Sequence, residues 1–370
     1  MADKPIPKYM RLKQELMSWI ESGQLKPDDK APSENEIAGR FGMSRQTVRQ
    51  ALGELEKEGL LYRVQGKGTF IARRNVRPMQ LPGSMIGMLT THISDYIFPH
   101  IVQGAEARLR EEGYSLLLSS TGNDKENERE NLEQMLGQPL GGLIIEPTRS
   151  AQGNPNLQLF LSLDVHHIPY IMINERYPEL HCPCLKLDDE AGGFIAAEHL
   201  IKLGHRRIAG FFKTDDLQGA NRLKGFIRAL HKHRLPFEEG TVTHYTSEEK
   251  HTVPYEAALT LLKSAERPTA LVCYNDELAV LLLEAVRQLG LSVPDDLSIV
   301  GFDDSPLATA TEVKLTTLSH PKEKMGIRAA DMLLGMIKGR GPQPPADIVY
   351  KPELILRGST RAASEGQPGQ

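Results

Sequence analysis

The sequence has few of the residues that stabilise or anchor exported and membrane proteins. Its 370 residues include three cysteines, which form no CxxC pair and no His–Cys cluster with zinc-ligand spacing. An odd, sparse set of cysteines is typical of chains that fold in a reducing compartment. No apolar run approaches the about 20 residues of a membrane-spanning helix, and the polar start lacks the pattern of a signal peptide. We therefore expect a cytoplasmic protein without a metal site.

Common motifs for cofactor binding and catalysis are also missing. There is no GxGxxG after a strand, no Walker loop and no nucleophile elbow, and we expect no cofactor. A carboxylate pair such as Glu146 and Asp303 could be imagined in a glycosidase. An enzyme that acts on sugars is therefore one alternative. A secreted sugar-binding protein is another, although the missing signal peptide opposes it.

Acidic residues are fewer than basic residues only in the amino-terminal part of the chain. The net charge is −4, but residues 1–77 hold 15 Lys and Arg against 10 Asp and Glu, whereas the rest holds 29 against 38. A basic amino-terminal region on an acidic body is typical of a protein that binds nucleic acid through that region.

Residues 32–72 predict a winged helix-turn-helix. Ser33 and Glu36 have the spacing of a capping box at the start of one helix, and Gly42 ends it. Ser44 is positioned to cap a second helix with apolar residues at helical spacing. The two short strands that follow flank a glycine-containing turn and form the predicted wing.

The first turn of the second helix predicts a DNA-reading surface. Arginine and glutamine side chains there can pair with base edges or hold phosphates, and Glu34 is expected to accept from a cytosine amino group or to orient Arg45. A structural three-helix bundle with a hairpin is the alternative. The predicted DNA-binding residues are Lys8, Ser33, Glu34, Ser44, Arg45, Gln46, Thr47, Arg49, Gln65, Gly66, Lys67 and Gly68.

These motifs together resemble the GntR family of bacterial transcription regulators. The resemblance covers residues 7–72 and comprises Tyr9, the turn ESGQLKPDDK, PSE, SRxTVRxAL, LxxEGL and GxGTF, in order. Ala31 departs from the leucine usual before PSE. The resemblance implies sequence-specific binding to double-stranded operator DNA, and we expect association with the nucleoid through this DNA binding.

The remaining chain predicts a multidomain protein with a larger α/β part. Residues 73–84 have a linker composition, and apolar strand-like runs then alternate with amphipathic helical runs, which indicates parallel, doubly wound sheets. We expect a winged helix (α+β) over 1–72, a linker over 73–84, a two-lobed effector domain over 85–358 and a flexible tail over 359–370.

The larger part resembles the LacI/GalR effector domain, which is similar to periplasmic sugar-binding proteins. The resemblance rests on HLIKLGHRRIAGF, RLKGF, CYNDELA, VPDDLSIVGFDDS and LTTLSHP, in order. It implies two lobes that close on a small ligand, with chain crossings near 185–190, 314–320 and residue 345. It also implies a homodimer held together by the effector domain.

Polar residues at the predicted strand ends are the candidate ligand contacts, because ligands bind at the carboxyl ends of parallel strands. Carboxylates and amides suit vicinal hydroxyls, and aromatic rings suit the C–H face of a sugar. Helix capping is the alternative for several of the acids and amides, and ordinary packing for Tyr96 and Phe98. The candidates are Asp95, Tyr96, Phe98, Glu146, Thr148, Asn174, Lys213, Asp216, Gln218, Arg222, Asn275, Asp276, Asp303, Asp304 and His320.

The LacI/GalR resemblance itself supplies Arg222, Asn275, Asp303 and His320, although histidine is a departure from the family at the last position. The sequence therefore predicts a transcriptional repressor of sugar utilisation genes, released from its operator by a small neutral sugar. Almost the full chain also resembles one regulator that combines both domain types, and that resemblance favours L-arabinose as the sugar. Another pentose or hexose is the alternative, because residue types do not reveal hydroxyl stereochemistry.

Overall fold

A computed structural model describes residues 8–21, 24–26, 28–57, 60–64, 68–72, 84–94, 97–237, 240–340 and 345–363. The chain divides into two compact units, Met1–Gln80 and Leu81–Gln370. This division falls inside the predicted linker, and residues 73–83 lie outside the described residues. So do five of the predicted site residues: Gln65, Gly66, Lys67, Asp95 and Tyr96.

The described residues of the first unit form three helices and a hairpin, namely α1 (Lys8–Glu21), α2 (Glu34–Phe41), α3 (Arg45–Lys57), β1 (Leu61–Val64) and β2 (Gly68–Ile71). The strands pair antiparallel with Leu61 opposite Ile71. Leu12 of α1, Ile37 of α2 and Val48 of α3 are fully or almost fully buried in one core with these two strand residues. The winged helix-turn-helix is therefore confirmed.

Capping explains why α2 begins and ends where it does. The Ser33 hydroxyl accepts from the Glu36 amide at 3.3 Å, and the Glu36 carboxylate accepts from the Ser33 amide at 2.7 Å. Gly42 ends the helix with φ of 60°, a conformation that glycine adopts without a Cβ clash. The Ser44 hydroxyl accepts from the Thr47 amide at 3.2 Å at the start of α3. The predicted capping residues are confirmed.

The second unit alternates strands and helices. Its strands are β3 (Met85–Thr90), β4 (Ser115–Ser120), β5 (Leu140–Ile145), β6 (Tyr170–Asn174), β7 (Cys184–Leu187), β8 (Ile208–Lys213), β9 (Val242–Tyr245), β10 (Ala270–Cys273), β11 (Ser298–Val300), β12 (Thr317–Leu318), β13 (Ile348–Tyr350) and β14 (Leu354–Ile355). Its helices are α4 (Phe98–Glu111), α5 (Lys125–Leu136), α6 (Leu157–Val165), α7 (Asp189–Lys202), α8 (Leu217–Lys232), α9 (Val253–Lys263), α10 (Asp276–Gln288), α11 (Leu307–Ala310) and α12 (Lys322–Ile337).

Two parallel sheets define two lobes. The first lobe has six strands in the order β13-β7-β6-β5-β3-β4, and the second has four in the order β11-β10-β8-β9. Every neighbouring pair in both sheets is parallel. Fully buried strand residues such as Ile144 and Ile299 are typical of sheets covered on both faces. The predicted two-lobed, doubly wound architecture is confirmed.

The chain crosses between the lobes three times. It first leaves β7 for α7, which packs on α8, within the predicted interval 185–190. It returns after β12 to α12, which packs on α4 at the end of the interval 314–320. The third crossing is at residues 351–353, later than the predicted residue 345, because β13 still pairs with β7. The lobe boundary therefore follows strand pairing rather than the composition of the loop.

The predicted start of the flexible tail at residue 359 is wrong for residues 359–363. Ser359 is fully buried, and its hydroxyl donates to the Ile299 carbonyl at 2.6 Å. The Arg361 amide donates to Ser298 at 3.1 Å, and the Ala363 amide to the Leu203 carbonyl at 2.8 Å. Backbone pairing fixes this segment, and a polar composition does not reveal such pairing. Among the described helices, none is long and apolar enough to cross a membrane.

Candidate functional site

The first unit presents one exposed polar face on α3. Arg45, Gln46 and Arg49 are exposed, whereas Val48 on the opposite side is fully buried. Thr47 is half-buried beside its capping partner Ser44. The remaining predicted DNA contacts within the described residues also reach the surface: Lys8, Ser33 and Gly68 are exposed and Glu34 is half-buried.

Glu34 joins three elements of this unit. Its carboxylate accepts from Arg49 Nε at 3.2 Å and from Arg49 Nη2 at 2.9 Å, and Arg63 of β1 lies 4.0 Å away. The hydrogen bond from Arg49 lowers the pKa of Glu34. The sequence predicts that Glu34 accepts from a cytosine amino group or orients Arg45. In the structure its arginine partner is Arg49 rather than Arg45. Glu34 therefore fixes a side chain in the middle of the reading face and links α2 to α3.

The second unit contains a cleft of about 330 Å³ between its lobes, at the carboxyl ends of their strands. This is where a doubly wound fold places a ligand site, because the loops there come from several strands. Ten of the fifteen predicted ligand residues line the cleft: Phe98, Glu146, Asn174, Lys213, Asp216, Gln218, Arg222, Asn275, Asp303 and His320.

A chain of hydrogen bonds orders the side of the cleft formed by the first lobe. Glu146, which follows β5, accepts from the Thr91 amide at 2.9 Å and the Thr91 hydroxyl at 2.7 Å. Its other oxygen accepts from Asn174 Nδ2 at 2.8 Å. Burial raises the pKa of Glu146, and these hydrogen bonds oppose the rise. A carboxylate held in this way presents a fixed acceptor surface to a ligand hydroxyl.

His320 extends this series of hydrogen bonds and lies at the second crossing of the polypeptide between the lobes. Its Nε2 lies 3.3 Å from Asn174 Oδ1, and burial lowers the pKa of His320 to about 4. The ring is therefore neutral near pH 7. Because Asn174 donates to Glu146, its Oδ1 accepts from Nε2–H of His320, which leaves Nδ1 as a lone-pair acceptor. Nδ1 has no hydrogen-bond partner among the described residues.

Arg222 of α8 is the central cation of the second lobe and is only 5% exposed. Its Nε donates to Asp189 at 2.8 Å, its Nη1 to the Tyr274 carbonyl at 2.7 Å, and its Nη2 to Asp303 at 3.4 Å. The guanidinium carbon lies 3.6 Å from the centre of the Phe302 ring. Burial alone would lower the pKa of Arg222, but Asp189 and Asp303 outweigh it and raise that pKa. Burial raises the pKa of Asp189 to about 7, although Arg222 opposes this rise. Arg222 therefore stays charged and holds two buried acidic side chains in place.

Lys213 and Asp216 form a second balanced pair at the end of β8. Lys213 Nζ lies 3.0 Å from Asp216 Oδ2, which also accepts from the Tyr274 hydroxyl at 2.7 Å. The other oxygen of Asp216 accepts from the Gly219 amide at 2.7 Å and caps α8. Burial tends to raise the pKa of Asp216, but Lys213 and these donors lower it overall. Asp216 thus caps a helix and lines the cleft at once.

Asn275 and Asp303 combine structural and cleft positions in a similar way. Asn275 Oδ1 accepts from the Leu278 amide at 2.8 Å and caps α10, as the alternative interpretation expects, yet the residue also lines the cleft. Asp303 has a left-handed backbone with φ of 92° and lines the cleft between Arg222 and His320. Strained conformations of this kind concentrate at functional sites.

Among the predicted ligand residues that the structure describes, three do not line the cleft. Thr148 is fully buried, and its hydroxyl bonds Thr121 at 3.0 Å. Asp276 accepts from the Ser305 amide at 2.8 Å and the Thr317 hydroxyl at 2.6 Å. Asp304 pairs with Arg357 at 2.6 Å. Thr148 and Asp276 lie three residues beyond the end of a strand and Asp304 lies four. The backbone has left the strand at these positions, so distance from the strand end does not set the direction of the side chain.

The cleft also includes residues that the sequence reasoning missed. Asn123 follows β4 and Asp189 follows β7, so the strand-end rule would have found both if it had been applied to every strand. Tyr274 directly precedes Asn275. Tyr245 ends β9. Other lining residues lie on loops whose approach depends on the lobe arrangement, and they include Thr91, His92, Arg149, Ser247, Glu248 and Lys250.

Similarity to known proteins identifies the class of protein to which the chain belongs. Residues 8–71 match the bacterial regulatory proteins of the gntR family, and residues 197–360 match the periplasmic binding protein-like domain. A LacI family transcriptional regulator from Enterococcus faecium, solved with bound ribose, is 25% identical, with a TM-score of 0.64. The match covers 76% of this chain and 100% of that one. The molecule is thus a transcription regulator with a LacI-type effector domain.

Two full-length relatives narrow this class. An arabinose metabolism transcriptional repressor of Geobacillus stearothermophilus is 62% identical over 98% of this chain and 100% of the relative. One from Halalkalibacterium halodurans is 44% identical over 96% of this chain and 97% of the relative. The chain belongs to this family of arabinose metabolism transcriptional repressors. It is a DNA-binding repressor of sugar utilisation, and the enzyme alternative is wrong, since these relatives are repressors.

Proposed function

We propose that the chain is a homodimeric repressor, acting on DNA in the cytoplasm, that leaves its operator when L-arabinose fills the cleft. The observation that carries this proposal is the composition of the cleft, where Arg222 and Lys213 are both neutralised by buried carboxylates. A site whose cations are already paired suits a neutral polyol better than a phosphorylated sugar. The names of the two arabinose repressor relatives favour L-arabinose in particular.

Within this cleft we assign roles by chemistry. Glu146 and Asp303 accept from sugar hydroxyls, and Asn174 and Asn275 provide amide groups. Phe98 of α4 is the aromatic candidate for the C–H face of the ring. Arg222 and Lys213 are oriented by their carboxylates, and Gln218 and His320 complete the polar lining. The bound ribose of the Enterococcus faecium relative supports a pentose as the ligand class.

The DNA interface is assigned to α3 and the elements beside it. Arg45, Gln46 and Arg49 read bases or adjacent phosphates in a major groove. A two-fold dimer would place two such helices in grooves one helical turn apart, on a near-palindromic operator. Lys8, Ser33, Glu34, Ser44, Thr47 and Gly68 fix the docking, together with Gln65, Gly66 and Lys67, which lie outside the described residues.

Induction follows from thermodynamic linkage. The sugar must bind better to a state whose DNA-binding units fit the operator poorly, and the operator must weaken sugar binding by the same factor. Equal sugar affinity of the free and operator-bound protein would contradict this mechanism.

A panel of free sugars tests the effector assignment. L-Arabinose at about 100 times its Kd should stabilise the full-length protein by about 2.7 kcal/mol, and it should release an operator duplex selected from a random DNA library. D-Ribose, D-xylose and D-galactose serve as comparisons. A response to one of these sugars alone would replace L-arabinose as the ligand. No response to any sugar would overturn the sugar-responsive proposal, and a monomer in sedimentation would overturn the dimer.

A further inference from the structure

Direct contacts join the two lobes at one side of the cleft. Asn123 Nδ2 of the first lobe donates to Ser247 Oγ of the second at 2.6 Å, and Arg149 of the first lobe forms an ion pair with Glu248 of the second. None of these four residues is among the ligand contacts expected from the sequence, although all four line the cleft.

The first-lobe half of this contact is built as a unit. Arg149 Nε donates to the Asn123 carbonyl at 2.7 Å, and the Arg149 amide donates to Asn123 Oδ1 at 3.2 Å. Both residues have left-handed backbones, with φ of 58° at Asn123 and 42° at Arg149. Two non-glycine residues in this region, bonded to each other, indicate that the loops are held in place for the positions of their side chains.

The second-lobe half is anchored in the same manner. The Ser247 amide donates to Asp215 Oδ2 at 3.0 Å, and Asp215 is fully buried. The contact continues inward, since Ser150 Oγ accepts from the Leu217 amide at 2.9 Å and the Ala151 amide donates to the Asp215 carbonyl at 3.3 Å. The inner edge of the contact is thus buried, while the Glu248 carboxylate at its outer edge is half exposed.

We propose that Asn123 and Arg149, with Ser247 and Glu248, form an interlobe latch that stabilises the closed cleft and so raises sugar affinity without touching the sugar. The polar groups that join the lobes are satisfied by each other, which leaves the inner carboxylates and amides for the ligand. The proposal rests on the proposed function, because the sugar is the ligand whose affinity the latch sets. These are positioning residues, and their effect should appear in the closing equilibrium.

A double-mutant cycle on the full-length protein tests the latch through sugar affinity. Arg149→Gln and Glu248→Gln should each raise the Kd for L-arabinose by about 2- to 5-fold, the range of partly exposed ion pairs. The double variant should be no weaker than either single variant, because both break one interaction. Glu133→Gln is the matched control, since it removes a carboxylate from the exposed Arg129 pair on α5 and should leave the Kd unchanged.

A second readout is independent of the sugar. Hydrogen exchange of the sugar-free protein should be faster at residues 121–124 and 245–248 in Glu248→Gln and in Asn123→Ala than in wild type, because the closed form is less populated. The latch would be overturned if Arg149→Gln and Glu248→Gln left the Kd unchanged and Glu248→Gln and Asn123→Ala left hydrogen exchange unchanged. Additive effects on the Kd in the double-mutant cycle would also overturn it, because they would indicate independent sugar contacts. If wild type binds no sugar but the exchange prediction holds, the proposed function fails while the latch stands.

Discussion

Charged side chains differ in exposure and in role between the two units. In the first unit, the pair between Arg49 and Glu34 is exposed, with 67% of the arginine side chain accessible. In the second unit, 6% of the Arg222 side chain is accessible, and it lies between two buried carboxylates. A surface that reads DNA must keep its cations accessible, where each ion pair contributes little to stability. A ligand cleft holds charges away from water, where removal of one partner is costly.

Removal of the buried cation should give the largest effect. Arg222→Met leaves Asp189 and Asp303 without their counter-charge, so we expect the free energy of unfolding of the second unit to fall by about 3–5 kcal/mol. Sugar binding should be lost as well. Denaturant unfolding and calorimetry measure the two effects. A loss below about 1 kcal/mol would mean that the cleft tolerates unpaired charge as the surface does.

On the exposed side, the largest effect should appear in DNA binding rather than in stability. Arg45→Ala should weaken operator binding by up to about 3 kcal/mol and weaken random DNA much less, because base contacts carry the discrimination. Titration of both duplexes at the same salt concentration measures the difference. An equal loss on both would show that Arg45 contacts only the phosphate backbone.

The buried histidine should give the cleft a pH response. Below the ordinary His pKa of about 6.5, the unfolded chain takes up a proton on His320 that the folded chain refuses until about pH 4. The free energy of unfolding should therefore fall by about 2 kcal/mol between pH 7 and pH 5 from this residue alone. Asp303, Arg222 and Lys322 face the ring and influence the value.

Comparison with His320→Gln at each pH isolates this contribution. It is needed because burial also raises the pKa values of Asp189 and Asp276 to about 7, so protonation of these two residues favours the folded state at low pH. The difference between wild type and variant should shrink as the pH falls from 7 to 5. A difference independent of pH would show that His320 titrates as if exposed.

The exposed pair should give the smallest effect on stability. Glu34→Gln should lower the free energy of unfolding of the first unit by less than about 1 kcal/mol. The variant also frees Arg49 from its fixed direction. The free-energy difference between operator and random-DNA binding should therefore fall by more than the free energy of unfolding does. Thermal unfolding and the two-duplex titration measure both quantities. A stability loss comparable to that of Arg222→Met would remove the contrast between the units.

The sequence predicted most of the fold because its signals are local. Ser33, Glu36, Gly42 and Ser44 act within one or two turns of a helix, and each does what its spacing indicates. Strand ends likewise identified part of the cleft lining. The failures are non-local: the choice of Arg49 rather than Arg45 as the partner of Glu34 depends on how α2 packs on α3.

The same distinction explains the errors within the cleft. Asp303 lines the cleft and Asp304 pairs with Arg357, although both follow β11 in the same GFDD motif. Which of two adjacent carboxylates faces the ligand is decided by backbone conformation, and both residues have positive φ. Residue type and spacing do not encode that choice. The loops that bring Arg149 to Glu248 are likewise fixed only when two lobes from distant parts of the chain meet.

The carboxyl-terminal segment has a practical consequence for anyone who handles this protein. Residues 359–363 are hydrogen-bonded to β11 and to the end of α7, and Ser359 forms hydrogen bonds with both Ile299 and Thr316. Deleting from residue 359 onward would strip these partners from a sheet edge and from a crossing segment. Purification tags and reporters therefore belong beyond Ala363. A chain that ends at residue 363 should be the shortest carboxyl-terminal truncation that still folds stably.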